Sequence, residues 1–144
     1  MSGGCQKGIT QPLNYSTDFS KGVISVPFKA ILIELMDSVP GSTGALLADW
    51  EGESVEQSCV YDVFDLKVIG AHKGILLNLL RDAHLKMDAG ALKHLVITTE
   101  QQHYLAGPIG EDYFLVMTLA RNVLVGPAIH LFQAAVERMY KEIY

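Results

Sequence analysis

The sequence predicts an α+β protein: a single-domain sandwich of α/β/α type on a five-stranded antiparallel sheet, in the order α-β-β-α-β-β-β-α. Apolar residues recur at spacings of three and four in three segments, which marks helices. Alternation and short apolar runs fill the stretches between them, separated by Gly-containing turn signals. The length of 144 residues fits one domain with a sizeable core, and 49% hydrophobic against 19% charged residues is a globular composition, apolar for its size.

Residues 1–26 are polar and Gly-rich without periodicity and read as a mobile extension. Val23-Ile24-Ser25-Val26 carries the pattern of a short strand. The domain proper is expected over 27–144, opening with Pro27 in the first turn of a helix, where its missing N–H costs nothing. Phe28, Ile31, Leu32, Leu35, Met36 and Val39 form the apolar face of that helix, and Pro40-Gly41 stops it. Ser42 to Asp49, with Ala45-Leu46-Leu47-Ala48, reads as a strand, and Glu53 to Gln57 as its hairpin partner. Asp49-Trp50-Glu51-Gly52 is the turn between them, with Gly52 free to take positive φ.

The period then changes to 3.6, and a long helix runs from about Asp62 to Ala83. Phe64, Val68, Ala71, Ile75 and Leu79 lie on one stripe; Leu66, Ile69, Leu76 and Leu80 lie on a second, with Leu77 beside it. One stripe buries against a sheet. The second marks a helix shared with a partner, because a helix apolar most of the way round is a buried one. The competing arrangement covers both faces with helices of the same chain.

Gly90 breaks that helix. Leu92 to Thr99 alternates, Glu100-Gln101-Gln102 is a polar turn, and His103 to Ile109 is a strand whose Pro108 marks its end or an edge position. Tyr113 to Leu119 is the most apolar strand and is expected at the sheet centre. Val125, Ile129, Phe132, Val136 and Met139 form the buried stripe of a final helix from about Leu124 to Tyr140, with Pro127 in its first turn.

The net charge of −5 and the lack of a basic patch argue against nucleic acid as partner. No window reaches the length of a membrane span, and the N-terminus lacks the apolar core of a signal peptide, so the expected setting is cytoplasmic. The two cysteines, Cys5 in the lead-in and Cys59, suit a reducing compartment without a structural disulfide.

Several short motifs together resemble the roadblock family, which includes dynein light chains and bacterial partners of Ras-like GTPases. They are Gly44-Ala45-Leu46-Leu47 before Asp49-x-x-Gly52, Gly70-Ala71 in the long helix, Leu95-x-Ile97, Gly107-Pro108-Ile109, and Leu124-Val125-Gly126. The likeness spans about 28 to 140; the long lead-in and Pro127 depart from it. It implies a homodimer, or a heterodimer with a related roadblock subunit, in which two long helices pack together and the third strands pair into one sheet. On this sequence those positions are Leu66, Ile69, Lys73, Leu76 and Leu80 of the helix and Leu95, Val96 and Ile97 of the strand. It also implies a non-enzymatic adaptor that binds a small Ras-like GTPase or a motor-type complex.

The chemistry-bearing residues agree with an adaptor. A phosphate loop needs a Gly-Lys pair, and the chain has Lys-Gly but never Gly-Lys. The five histidines fall in no zinc pattern, and Cys59 has no histidine near it in sequence, so neither a metal nor a cofactor is expected. Trp50 on the hairpin turn is either a partner anchor or folds back over Tyr61 or Phe64. Lys67, His72, Lys73, Asn78 and Arg81 read as a basic strip on the long helix, a platform for an acidic partner surface. The alternative function is a small-ligand sensor, since α+β sandwiches also host pockets. Such a pocket needs buried polar groups to orient its ligand, and the inward stripes here are nearly all aliphatic.

Overall fold

The computed structural model describes the backbone from residue 19 and side chains from residue 27. The elements are α1 (Phe19–Ser38), β1 (Ser42–Asp49), β2 (Ser54–Cys59), α2 (Val63–Lys86), β3 (Leu95–Thr98), β4 (Gln102–Ile109), β5 (Tyr113–Ala120) and α3 (Val125–Ile143). The order is the predicted α-β-β-α-β-β-β-α. All strand pairs are antiparallel, and the sheet runs β2-β1-β5-β4-β3, with the most apolar strand at its centre.

Two expectations fail at the first helix. α1 continues N-terminally past Pro27, which sits inside it, and residues 23–26 are helical rather than a strand. The apolar content of Val23-Ile24-Ser25-Val26 suits either structure, and a helix already anchored by packing tolerates the loss of one backbone bond at proline. Residues 1–18, with Cys5 and the remaining lead-in readings, lie outside the described residues.

Each face of the sheet holds one core. Ala45, Leu47, Leu105, Leu115, Met117 and Leu119 pack under α1 and α3, meeting Leu32, Met36, Phe132 and Met139. Leu46, Ala48, Cys59, Ala106, Phe114 and Val116 point the other way, under α2. Alternate residues of one strand thus serve opposite cores, the two-residue period of a strand buried on both faces.

The ladders also fix what the sheet edges present. In an antiparallel pair, hydrogen-bonded and non-bonded positions alternate. Val60 N donates to Thr43 O at 3.0 Å, and Thr99 N to Gln102 O at 2.9 Å. Counting from these through the registers turns the backbone groups of Gln57 outward on β2, and those of Val96 and Thr98 outward on β3. The same phase points Pro108 toward β3, but β3 pairs only as far as Leu95 with Ala106. Pro108 therefore sits inside β4 without removing a ladder donor.

Candidate functional site

α2 is placed by its N-terminus and by two glycines. Asp62 caps it, its Oδ1 accepting from Phe64 N at 3.0 Å. A Cβ on Gly70 would stand 2.1 Å from Leu46 Cδ2, and one on Gly74 would stand 2.5 Å from Phe114 Cζ. These glycines let the helix lie directly on β1 and β5. Leu66 and Leu77, each 0% exposed, complete the sheet-facing side.

This identifies the two stripes in the reverse sense to the sequence reading. Leu66, expected at a dimer seam, is spent in this chain's own core and has no surface to offer a partner. The side left open is Phe64 (66% exposed), Val68, Ala71, Ile75 (63%) and Leu79 (63%), and Leu85 in the last turn and Met87 at the C-cap are exposed as well. Among the described residues no helix covers that side: α1 and α3 pack on the opposite face. Exposed apolar patches of this size are uncommon on soluble proteins unless they serve as contact surfaces.

The flanks of α2 differ from each other. Ile69, Lys73, Leu76 and Leu80 are half-buried on the side toward β4 and β3, where Lys73 Nζ lies 4.2 Å from the Tyr104 ring centroid and 3.1 Å from His72 Nδ1. At 3.6 residues per turn, Lys67, Asn78 and Arg81 fall on the other flank. There the Arg81 guanidinium lies 3.9 Å from the Trp50 ring centroid and donates to Asn78 Oδ1 at 3.3 Å. The basic residues read as one strip are thus divided: Lys67, Asn78 and Arg81 on the hairpin side, His72 and Lys73 on the β4 side. His72 and Lys67 are exposed; Lys73 and Arg81 are each held over an aromatic ring.

Trp50 does not project from its turn. It folds back and is half-buried, its ring centroid 4.9 Å from that of Phe114, under Arg81 and not over Tyr61 or Phe64. Asp49 holds the turn, its Oδ1 accepting from Glu51 N and Glu53 N at 3.0 Å each, with Gly52 at φ 92°. Trp50 is therefore a wedge between the hairpin and α2.

The other component of the surface is β3. Leu95, Val96 and Ile97 are half-buried, and β3 is the last strand on its side of the sheet, with the outward groups of Val96 and Thr98 at its edge. Leu95 packs toward α2 and Val96 toward the opposite core. The half-buried flank of α2 and the β3 edge lie side by side.

Other candidate chemistry is occupied structurally. His103 is buried, with Nδ1 2.8 Å from Thr98 Oγ1 and Nε2 3.0 Å from the Arg121 carbonyl, so it ties the β3–β4 hairpin to the loop after β5. Thr118 is buried with its hydroxyl 2.7 Å from Thr43 Oγ1 and 3.3 Å from the Tyr61 hydroxyl; burial pushes the Tyr61 pKa up. Cys59 is fully buried at the end of β2. Among the described residues no cluster of His, Cys, Asp or Glu could hold a metal ion, and no helix is long and apolar enough to cross a membrane. Among the described residues both faces of the sheet are filled by aliphatic and aromatic side chains, where a ligand pocket would need buried polar groups to orient its ligand.

No protein-family model and no curated protein matches the sequence. The fold does match solved structures. A roadblock/LC7 domain from Streptomyces avermitilis superposes with a TM-score of 0.72 at 17% identity, covering 80% of this chain and 96% of that one. The gliding protein MglB from Thermus thermophilus gives 0.71 at 14% identity, covering 95% and 96%. A structure of MglB in a tetrameric arrangement gives 0.69 at 13% identity, covering 95% and 96%. The architecture of the described residues, three helices and a five-stranded sheet, is the roadblock-type fold.

Proposed function

We propose that the protein is a non-enzymatic, dimeric adaptor that binds a small Ras-like GTPase or a motor-type complex and alters its activity or location. The observation that carries this is the exposed stripe Phe64, Val68, Ile75 and Leu79, running along α2 opposite the sheet with no cover among the described residues. A second copy, or a related roadblock subunit, would bury that stripe. The half-buried flank Ile69, Leu76 and Leu80 and the open β3 edge at Leu95–Ile97 would extend the contact. The likeness to MglB, one structure of which is described as tetrameric, supports self-association of this fold.

The partner platform would be the remaining surface of the paired α2 helices, with Lys67, His72 and Asn78 as its exposed polar residues. The test has two arms. Sedimentation at micromolar concentration is expected to show a dimer; a folded monomer overturns the assembly. Affinity capture from the native cell, followed by mass spectrometry and binding of the recovered protein in its GTP and GDP states, is expected to identify a GTPase. Recovery of a partner without a GTPase or motor subunit overturns that assignment.

A further inference from the structure

The two edges of the sheet are treated differently. β3 ends the sheet with outward backbone groups at Val96 and Thr98 and belongs to the candidate dimer surface. At the other end, the alternation of the β1–β2 ladder turns the Gln57 carbonyl outward, where an added strand would pair. That carbonyl is occupied: Lys29, reaching across from α1, donates to Gln57 O from Nζ at 2.5 Å. The same ammonium lies 3.8 Å from Glu56 Oε1, on the neighbouring residue of β2. Both side chains are largely buried, at 25% and 21% exposure. Lys29 is thus held in place by a carboxylate whose own backbone groups serve β1, and it fills the acceptor of the next residue, which faces outward.

We propose that Lys29 closes the β2 edge against strand addition by a second copy of this chain, so that sheet extension is confined to β3. The physical consequence is closure. Pairing through one edge, by a two-fold operation, ends at two subunits. A chain with both edges available can add copies at each end and grow without limit. Lysine suits the task because its ammonium satisfies the carbonyl and presents a charge that an incoming strand would have to desolvate. The register around it helps: the bulge between Leu47 and Ala48 places one extra residue on β2, which twists the strand away from the flat geometry that edge pairing needs.

This inference concerns the edge opposite the proposed dimer contact and does not depend on it. The experiment compares full-length wild type, Lys29→Met and Lys29→Arg by sedimentation velocity over a range of concentrations, with circular dichroism to verify folding. Lys29→Met keeps the aliphatic stem and removes the donor. It is expected to shift material into species heavier than the wild type's, their share growing with concentration, whereas Lys29→Arg, which can still donate, stays as wild type. Adding Gln57→Pro to Lys29→Met removes the outward N–H of the same edge position and is expected to return the distribution to that of wild type. An unchanged distribution for folded Lys29→Met, or growth that survives Gln57→Pro, overturns the proposal. Should Lys29→Met not fold, folded Lys29→Gln is read in its place: retained closure there with its amide on Gln57 supports the cap, and growth despite a donor at this position overturns it. A monomeric wild type would sink the dimer reading while leaving this comparison intact.

Discussion

Glycine and charge burial decide most at the level of single residues. Gly70 and Gly74 set the distance between α2 and the sheet, and only the first was picked out from the sequence. Alanine is favoured over glycine in a helix by about 1 kcal/mol, so a helix with no close neighbour would gain from the change. Here the added Cβ would collide with Leu46 or Phe114. Gly74→Ala should therefore destabilise by about 1–3 kcal/mol, the typical cost of overpacking, as measured by denaturant unfolding; a stabilised variant would show that the contact relaxes freely. Glu56 gives a pH prediction. Burial raises its pKa above the ordinary carboxylate value, and the Lys29 charge offsets only part of that rise. The folded chain then holds the proton more tightly than the unfolded one, so stability falls as pH rises through the window between the ordinary and the raised value. Glu56→Gln removes that slope. Its stability relative to wild type should increase as pH rises above the ordinary carboxylate value of 4.5, read from urea midpoints, and a difference independent of pH would contradict the assignment.

Whole elements were largely legible because their signals are local. Alternation, the Asp49–Gly52 turn and the central place of the Tyr113 strand follow from residues adjacent in sequence, and Asp62 was visible as the helix start that the structure shows as its cap. What was not legible was orientation. Both stripes of α2 are apolar, so composition could not say which one meets the sheet. The missed signal was glycine: Gly70 and Gly74, one turn apart and between Leu66 and Leu77, mark the side of closest approach. The extent of α1 was misread for a related reason, since Pro27 signals a start only when nothing else holds the helix beyond it. The corrected orientation separates two variants. Ile75→Asp, on the open stripe, should leave a folded chain but abolish the dimer, because an unpaired charge would be buried at the seam. Leu66→Asp, in the core under α2, should fail to fold at all. Circular dichroism with sedimentation distinguishes them, and a dimeric Ile75→Asp protein would place the seam elsewhere.

At the level of the molecule, the fold sets an apolar stripe and an open strand edge on the side where α2 lies, and divides the basic residues of α2 between its two flanks. The division changes how partner docking should be tested. A joint reversal at Lys67 and Arg81 would read two things at once, because Arg81 lies over Trp50 and its loss loosens the wedge on Phe114. Lys67 is exposed, with no contact of that kind among the described residues, so it isolates the electrostatic contribution. On a protein of net charge −5, a local cation beside an apolar stripe steers an acidic surface, and that attraction is screened by salt. Lys67→Glu should leave the melting temperature and the dimer unchanged while weakening binding of the captured partner. A loss of about ten-fold corresponds to about 1.4 kcal/mol. The loss should reside mainly in the association rate and shrink as ionic strength rises, because screening removes the attraction that the variant has already lost. Surface plasmon resonance at low and high salt separates this from lost packing, which would act on dissociation and persist in salt. Unchanged association at low salt would move the platform off this flank, to His72 and the β4 side of the paired helices.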